Sequence, residues 1–181
     1  MANIAVHSTA DIAQVESTCR ELGITVEEFR ELHRYSVSAA EGAYCPYSNF
    51  PVGAAVMTKY GVQGPDAAEG LPGSGGNGHS RFILGANVEN VSYPVGTCAE
   101  RVALGRAVFE GHRDFKAIAV MAPAAAAGMP CSPCGMCRQF IREFCGLDLP
   151  VLMFAKDGQY IGIKLETLLP LSFGPDALGP R

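Results

Sequence analysis

Three cysteines are spaced to hold one metal ion. Cys98 stands at the head of one expected helix, and Cys134 and Cys137 stand at the head of another. An i, i+3 pair on a first helical turn lets both sulfurs converge on one ion. Helices that follow strands in an open α/β sheet begin outside the carboxyl ends of those strands, where ligand sites form. Cys98 and the later pair can therefore meet in space although they are far apart in sequence. Three thiolates suit Zn²⁺ rather than magnesium or calcium, and three protein ligands leave a fourth position for water. Each helix N-terminus favours anionic sulfur, by ~0.3–1 kcal/mol and by up to ~2 kcal/mol when partly buried.

A carboxylate lies close by. Glu100 follows Cys98 by two positions, which on a helix is a divergence of about 200°. That makes Glu100 a poor co-ligand, but near a helix start it can point across the metal towards a bound water and carry its proton. Three thiolates on a dication leave one negative charge in excess, which opposes acidification of that water. Arg101 can withdraw some of it by hydrogen bonding to ligand sulfurs. Gln139, just past Cys137, is a neutral donor placed to assist. The plain alternative for Arg101 is a solvated surface charge.

The elements that must position these groups follow from periodicity and punctuation. Ile12, Val15, Cys19 and Leu22 fall on one face of a helix over 8–22, capped by Ser8 or Thr9 and stopped by Gly23. Thr25-Val-Glu-Glu28 is a capping box opening a second helix that carries Phe29 and Leu32. Strands are expected over 50–57 and 81–88, joined by a Gly-rich stretch over 60–81 that lengthens the hairpin turn. A helix over 97–111, a buried strand over 115–122 and a helix over 134–145 follow, the last with Met136, Phe140, Ile141 and Phe144 inward. Asp157-Gly158 is a favoured two-residue turn between strands over 151–156 and 159–164. A short helix over 165–169 ends at Pro170. Alternating strands and helices in the middle imply parallel crossovers with helices on both faces, and a hairpin on each side makes the sheet mixed. The expected architecture is a three-layer α/β/α domain with about five strands, spanning 1–181 as one unit, with 1–24 as a helical extension.

Composition removes other classes. The chain has 181 residues, 48% of them apolar, and a net charge of −4, so it can bury a core and is not wholly disordered. No apolar run approaches the ~20 residues of a membrane span, and the N-terminus lacks a secretory pattern. The acidic balance argues against a nucleic-acid groove. Seven cysteines without an export signal read as reduced thiols, either ligands or core filler, in a cytoplasmic protein. Cys131, three before Cys134, invites a reading as fourth ligand, but filling that position would exclude water. Cys19 and Cys145 read as filler on helices, and His7, His33, His79 and His112 as solvent-facing.

Four segments together resemble a known family. Thr97-Cys98-Ala99-Glu100 followed by Pro133-Cys134-Gly135-Met136-Cys137 resembles the zinc signature of the cytidine deaminase superfamily. Pro46-Tyr-Ser-Asn-Phe50-Pro-Val-Gly-Ala-Ala and Asn87-Val-Glu89-Asn-Val-Ser-Tyr93 look like the small homotetrameric cytidine deaminases that act on free nucleosides. The similarity runs over about 27–175. It implies that Cys98, Cys134 and Cys137 bind one zinc per subunit, that Glu100 shuttles protons, and that Arg101 tempers the thiolate charge. It also implies that Asn87 and Glu89 hydrogen-bond the ribose 3′-hydroxyl and that Phe50 stacks on the pyrimidine. Ala99 would line the substrate pocket, and Tyr93 and Phe173 would reach a neighbouring subunit's pocket. The implied reaction is hydrolytic deamination of cytidine and 2′-deoxycytidine in pyrimidine salvage.

Other readings weigh less. The segment over 132–139 is also similar to blasticidin S deaminases, which makes another aminopyrimidine nucleoside the alternative substrate. An iron–sulfur carrier would need a fourth cysteine where Ile141 stands. A structural zinc module would normally close its fourth position. No phosphate cradle of the GxxxxGK kind is present, and Glu89 beside a sugar would repel phosphate, which disfavours nucleotides.

Overall fold

The computed structural model describes residues 4–59 and 81–179. The Gly-rich stretch expected to lengthen a hairpin turn therefore lies, apart from Arg81, outside the described residues. Six strands form one sheet: β1 (His7–Ser8), β2 (Gly53–Thr58), β3 (Phe82–Ala86), β4 (Phe115–Met121), β5 (Pro150–Phe154) and β6 (Gln159–Lys164). Their spatial order is β1-β6-β5-β4-β2-β3. β4 and β5 pair in parallel and the other neighbours are antiparallel, so the sheet is mixed as expected.

Alternating side chains sort onto two helical layers. Ala54 and Val56 of β2 face α3 (Ala99–Phe109), α4 (Gly135–Phe144) and α5 (Leu165–Leu168) in one apolar cluster. Ala55 and Met57 face α1 (Ile12–Leu22) and α2 (Val26–Ala40) in the other. All of β2 is buried, as suits an interior strand covered on both faces. Gly53 is required there: a Cβ would lie 2.1 Å from the Ser36 carbonyl oxygen of α2.

The capping box at Thr25 forms as read. Thr25 Oγ1 accepts from Glu28 N at 3.1 Å, and Glu28 Oε2 accepts from Thr25 N at 2.8 Å. The Glu28 carboxylate also takes Lys116 Nζ at 2.7 Å and the Arg81 guanidinium, pinning α2 to the starts of β4 and β3. Burial pushes its pKa up, but these donors outweigh burial and hold it below the ordinary carboxylate range.

Several expectations shift. His7 and Ser8 do not begin a helix; they pair with Tyr160 and Gln159 and add a sixth strand to the sheet edge. The cap of α1 is Asp11, whose Oδ1 accepts from Gln14 N at 3.1 Å, because the chain must first leave the strand and turn. β2 starts at Gly53 rather than at Phe50: Asn49 has φ 53°, and Pro51 offers no N–H to a ladder. Met136 is 63% exposed, since Cys137 and Ile141 form the inward face of α4 and Met136 sits about 100° away. His112 is buried and His33 lies half-buried against the Phe154 ring at 4.3 Å, and burial lowers both pKa values. Among the described residues, no helix is long and apolar enough to cross a membrane.

Candidate active site

α3 and α4 both begin beyond the carboxyl ends of strands, and a cysteine occupies the N-cap of each. Cys98 has extended backbone angles, and its carbonyl accepts from the N–H groups of Arg101 and Val102, both at 3.1 Å. Cys134 is extended in the same way, and its carbonyl accepts from Arg138 N at 3.0 Å. Neither side chain caps its helix, so both sulfurs are free to act as ligands. α3 can approach because β3 carries Gly85 opposite Ala99 and Ala103, both fully buried. A Cβ on Gly85 would lie 2.3 Å from Ala103 N and 2.7 Å from the Ala99 carbonyl oxygen, both rigid backbone atoms. Gly85→Ala is expected to cost about 1–3 kcal/mol by overpacking. It should also weaken zinc retention, because the start of α3 must move. Denaturant midpoints and metal content of the purified variant measure both; unchanged values would remove Gly85 from the positioning of Cys98.

The sulfurs of Cys98, Cys134 and Cys137 lie within 4.8 Å of one another. Cys98 Sγ to Cys134 Sγ is 3.8 Å and Cys134 Sγ to Cys137 Sγ is 3.5 Å. Ligands about 2.3 Å from a tetrahedral zinc stand about 3.8 Å apart, so the donor set and its spacing fit that ion. Hydrogen bonding from Cys137 holds the Cys98 thiol down to about 5 against its burial, with Cys134 and the Arg101 guanidinium adding to the effect. Cys137, the donor of that bond and fully buried, is pushed up. Cys131 is not in the trio, and burial, with the charges of Glu100 and Cys98, pushes it up to about 12.

Arg101 is not a solvated surface charge. Its Nη2 donates to the Gly96 carbonyl at 3.1 Å, while its buried Nε has no hydrogen-bond partner. Contact with Cys98 and Cys137 raises its pKa against burial. An unspent donor beside thiolates fits a guanidinium that shares their negative charge. Glu100 is 3% exposed on the first turn of α3. Burial raises its pKa most, and the nearby Cys98 charge adds to that, while its own backbone N–H and Cys137 pull the other way.

Gln139 departs from its expected place. Its Nε2 donates to the Phe173 carbonyl at 2.9 Å rather than to a ligand sulfur, because two positions along α4 turn it about 200° from Cys137. The group that does steady the metal loop is Arg138, which sequence reasoning missed. Its guanidinium takes Pro133 O at 2.8 Å, Leu168 O at 2.9 Å and Ser132 Oγ at 3.0 Å, holding the two residues before Cys134 against α5. The available signal was its position four after Cys134.

The remaining expected residues gather on two neighbouring loops. Asn87 Oδ1 accepts from Val52 N at 2.8 Å and its Nδ2 donates to the Phe50 carbonyl at 3.0 Å, supplying the pairing that Pro51 cannot. Glu89 Oε2 accepts from Tyr47 N at 2.9 Å and Ser48 N at 3.2 Å, and hydrogen bonding, first from the Ser48 side chain, lowers its pKa. Phe50 is partly exposed, and Tyr93 lies 6.0 Å from the Tyr47 ring. A cavity of about 320 Å³ is lined by Tyr47, Ser48, Glu89, Asn90, Tyr93 and Gly96. It adjoins the metal side through Gly96, whose carbonyl holds Arg101. Phe173 stands exposed beyond α4.

Known proteins share this arrangement of sequence and fold. The family described as "Cytidine and deoxycytidylate deaminase zinc-binding region" matches residues 76–153. A cytidine deaminase of Halalkalibacterium halodurans is 40% identical over 142 residues, covering 78% of this chain and 91% of its own. The crystal structure of cytidine deaminase from Burkholderia pseudomallei aligns with a TM-score of 0.64 at 35% identity, covering 80% of this chain and 98% of its own. A blasticidin-S deaminase of Bacillus cereus is 32% identical, covering 67% of this chain and 76% of its own.

Proposed function

The chain belongs to the cytidine deaminase family, and on that premise we propose that it hydrolyses free cytidine and 2′-deoxycytidine to uridine and 2′-deoxyuridine, releasing ammonia. The observation that carries this reading is the sulfur trio at two helix N-termini with a buried carboxyl group on the first turn beside it.

Cys98, Cys134 and Cys137 would hold zinc through their three sulfurs. When bound, the ion supplies Lewis acidity that makes water nucleophilic near neutral pH. Glu100 takes a proton from the attacking water and delivers it to N3 of the pyrimidine as oxygen bonds to C4. Glu100 then takes the remaining proton from the hydroxyl now on C4 and passes it to the amine, so that the C4 oxygen becomes a carbonyl, the C4–N4 bond breaks and ammonia leaves. Arg101 draws off thiolate charge. Phe50 stacks on the base and Asn87 and Glu89 hold sugar hydroxyls, whereas Ala99, expected to line the pocket, is fully buried in the core against Gly85. Asn87 and Glu89 are pre-ordered for this by their bonds to the 47–52 backbone, and each keeps further hydrogen-bonding capacity.

The finer reading is a homotetramer in which Tyr93 and Phe173 enter a neighbour's pocket. It is supported by the exposure of Val91, Tyr93, Val95 and Phe173, at 78%, 75%, 62% and 64%. Ligand thiols suit a reducing compartment, and we place the protein in the cytoplasm, in pyrimidine salvage.

The test follows the ultraviolet absorbance of cytidine and the ammonia produced, with and without a zinc chelator. The expected result is stoichiometric ammonia, arrest on chelation and recovery with added zinc. Turnover of blasticidin S in preference to cytidine, or none of cytidine by zinc-loaded protein, would overturn the reading.

A further inference from the structure

Residues 171–179 have almost no apolar anchorage, for Gly174 is the one buried residue among them. What holds them is a guanidinium on α4. Arg142 is 9% exposed, and its Nη2 reaches Asp176 Oδ2 at 2.7 Å while its Nε reaches Ser172 Oγ at 3.3 Å. Its Nη1 faces the Cys145 carbonyl at 3.4 Å, fixing the guanidinium to the end of its own helix. Gly174 lies flat on the group: a Cβ there would sit 2.3 Å from Cζ and 2.4 Å from Nη2. One turn earlier, Gln139 holds the Phe173 carbonyl. The strap thus has polar ties on both sides of Phe173, which is left 64% exposed. Leu171, at φ 53° and fully exposed, turns the chain into the strap without contributing packing.

We propose that Arg142 is a positioning residue that latches residues 172–176 onto α4 and thereby fixes where Phe173 is presented. The proposal rests on the reading in which Phe173 completes a neighbouring copy's nucleoside pocket. A planar fork with several donors can bind three partners from one buried point, which lysine cannot reproduce. The Asp176 side chain is 86% exposed, so that ion pair alone is weak, and the latch depends on the combination with Gly174 and Ser172.

The experiment is a double-mutant cycle on the full chain loaded with zinc. Arg142→Ala is expected to raise KM for cytidine ~10-fold with kcat changed by less than ~2-fold, because binding and not chemistry is disturbed. Arg142→Lys should recover KM only in part. In a Phe173→Ala background, Arg142→Ala should add little, since both act through the same ring. Gly174→Ala, which keeps Arg142 and crowds its guanidinium, should copy the KM effect if Arg142→Ala fails to fold. Hydrogen exchange across 171–178 should lose protection in both variants, whether or not the protein turns over cytidine. An undiminished Arg142→Ala effect in the Phe173→Ala background, an unchanged KM, or unchanged exchange would each overturn the latch. Absence of cytidine turnover in the unmodified protein, with exchange still responding to Arg142, would instead overturn the functional reading and leave the latch standing.

Discussion

Glu100→Ala is expected to lower kcat for cytidine by about 10²–10⁴-fold, the usual worth of a positioned proton-transfer group, with zinc content and fold unchanged. The metal should survive because Glu100 is not one of the three ligand residues. The fold should survive because the lost group is a nearly fully buried carboxyl group whose pKa burial has raised. Removing such a group relieves desolvation rather than breaking a salt bridge. Nor does its loss disturb the helix start, since the Cys98 carbonyl already accepts from Arg101 and Val102. Glu100→Gln should be about as inactive, for it keeps the shape and loses the proton-carrying oxygen. Binding of a non-reacting pyrimidine nucleoside should change far less than kcat. Initial rates, metal analysis and thermal melts on the same preparations measure this. A kcat within tenfold of the unmodified protein, at equal zinc content, would end the role assigned to Glu100.

The parts of the site legible in the sequence are those whose chemistry is local. Cys134 and Cys137 share one helical turn, and Cys98 heads the preceding crossover helix, so spacing and topology alone place the sulfurs together. The Thr25 capping box is legible for the same reason, since both partners lie within four residues. What escaped depends on distant partners. A two-residue strand such as His7–Ser8 has no periodicity to detect and exists because Tyr160 and Gln159 offer a free edge. Gln139 sits near the ligands in sequence, but its amide goes to Phe173, 34 residues away. Arg138 and Arg142 look like surface cations on an amphipathic helix. Only the tertiary course of the chain reveals that one holds the Cys134 loop and the other the 172–176 strap. Asn87 shows that one side chain can take two parts. The resemblance assigns it to a sugar hydroxyl, and the fold uses it to replace strand pairing beside Pro51.

Loss of a ligand should behave differently from loss of Glu100, and Cys137→Ala is the sharpest case. Cys137 is fully buried, whereas Cys134 is exposed, and its side chain continues into the core through Ile141 one turn later. With alanine there, two sulfurs 3.8 Å apart remain at two helix N-termini, along with an Arg101 Nε that still lacks a partner. Changes to groups that merely support a ligand cost about 10–100-fold in metal affinity, so removal of the ligand itself should cost at least about 10²-fold. Zinc should then be lost during purification, and deamination with it. Stability should fall as well, because metal bound only by the folded chain contributes to folding. Here the trio ties α3 to α4. Cys134→Ala should abolish activity equally, yet the metal-free protein should melt closer to the chelator-treated original, since an exposed sulfur leaves no cavity. Metal analysis, melting temperatures with and without chelator, and cytidine turnover separate these outcomes. Chelation should lower the melting temperature of the unmodified protein and of Glu100→Ala but leave that of Cys137→Ala in place. A Cys137→Ala protein that keeps a full complement of zinc would show that the ion sits elsewhere.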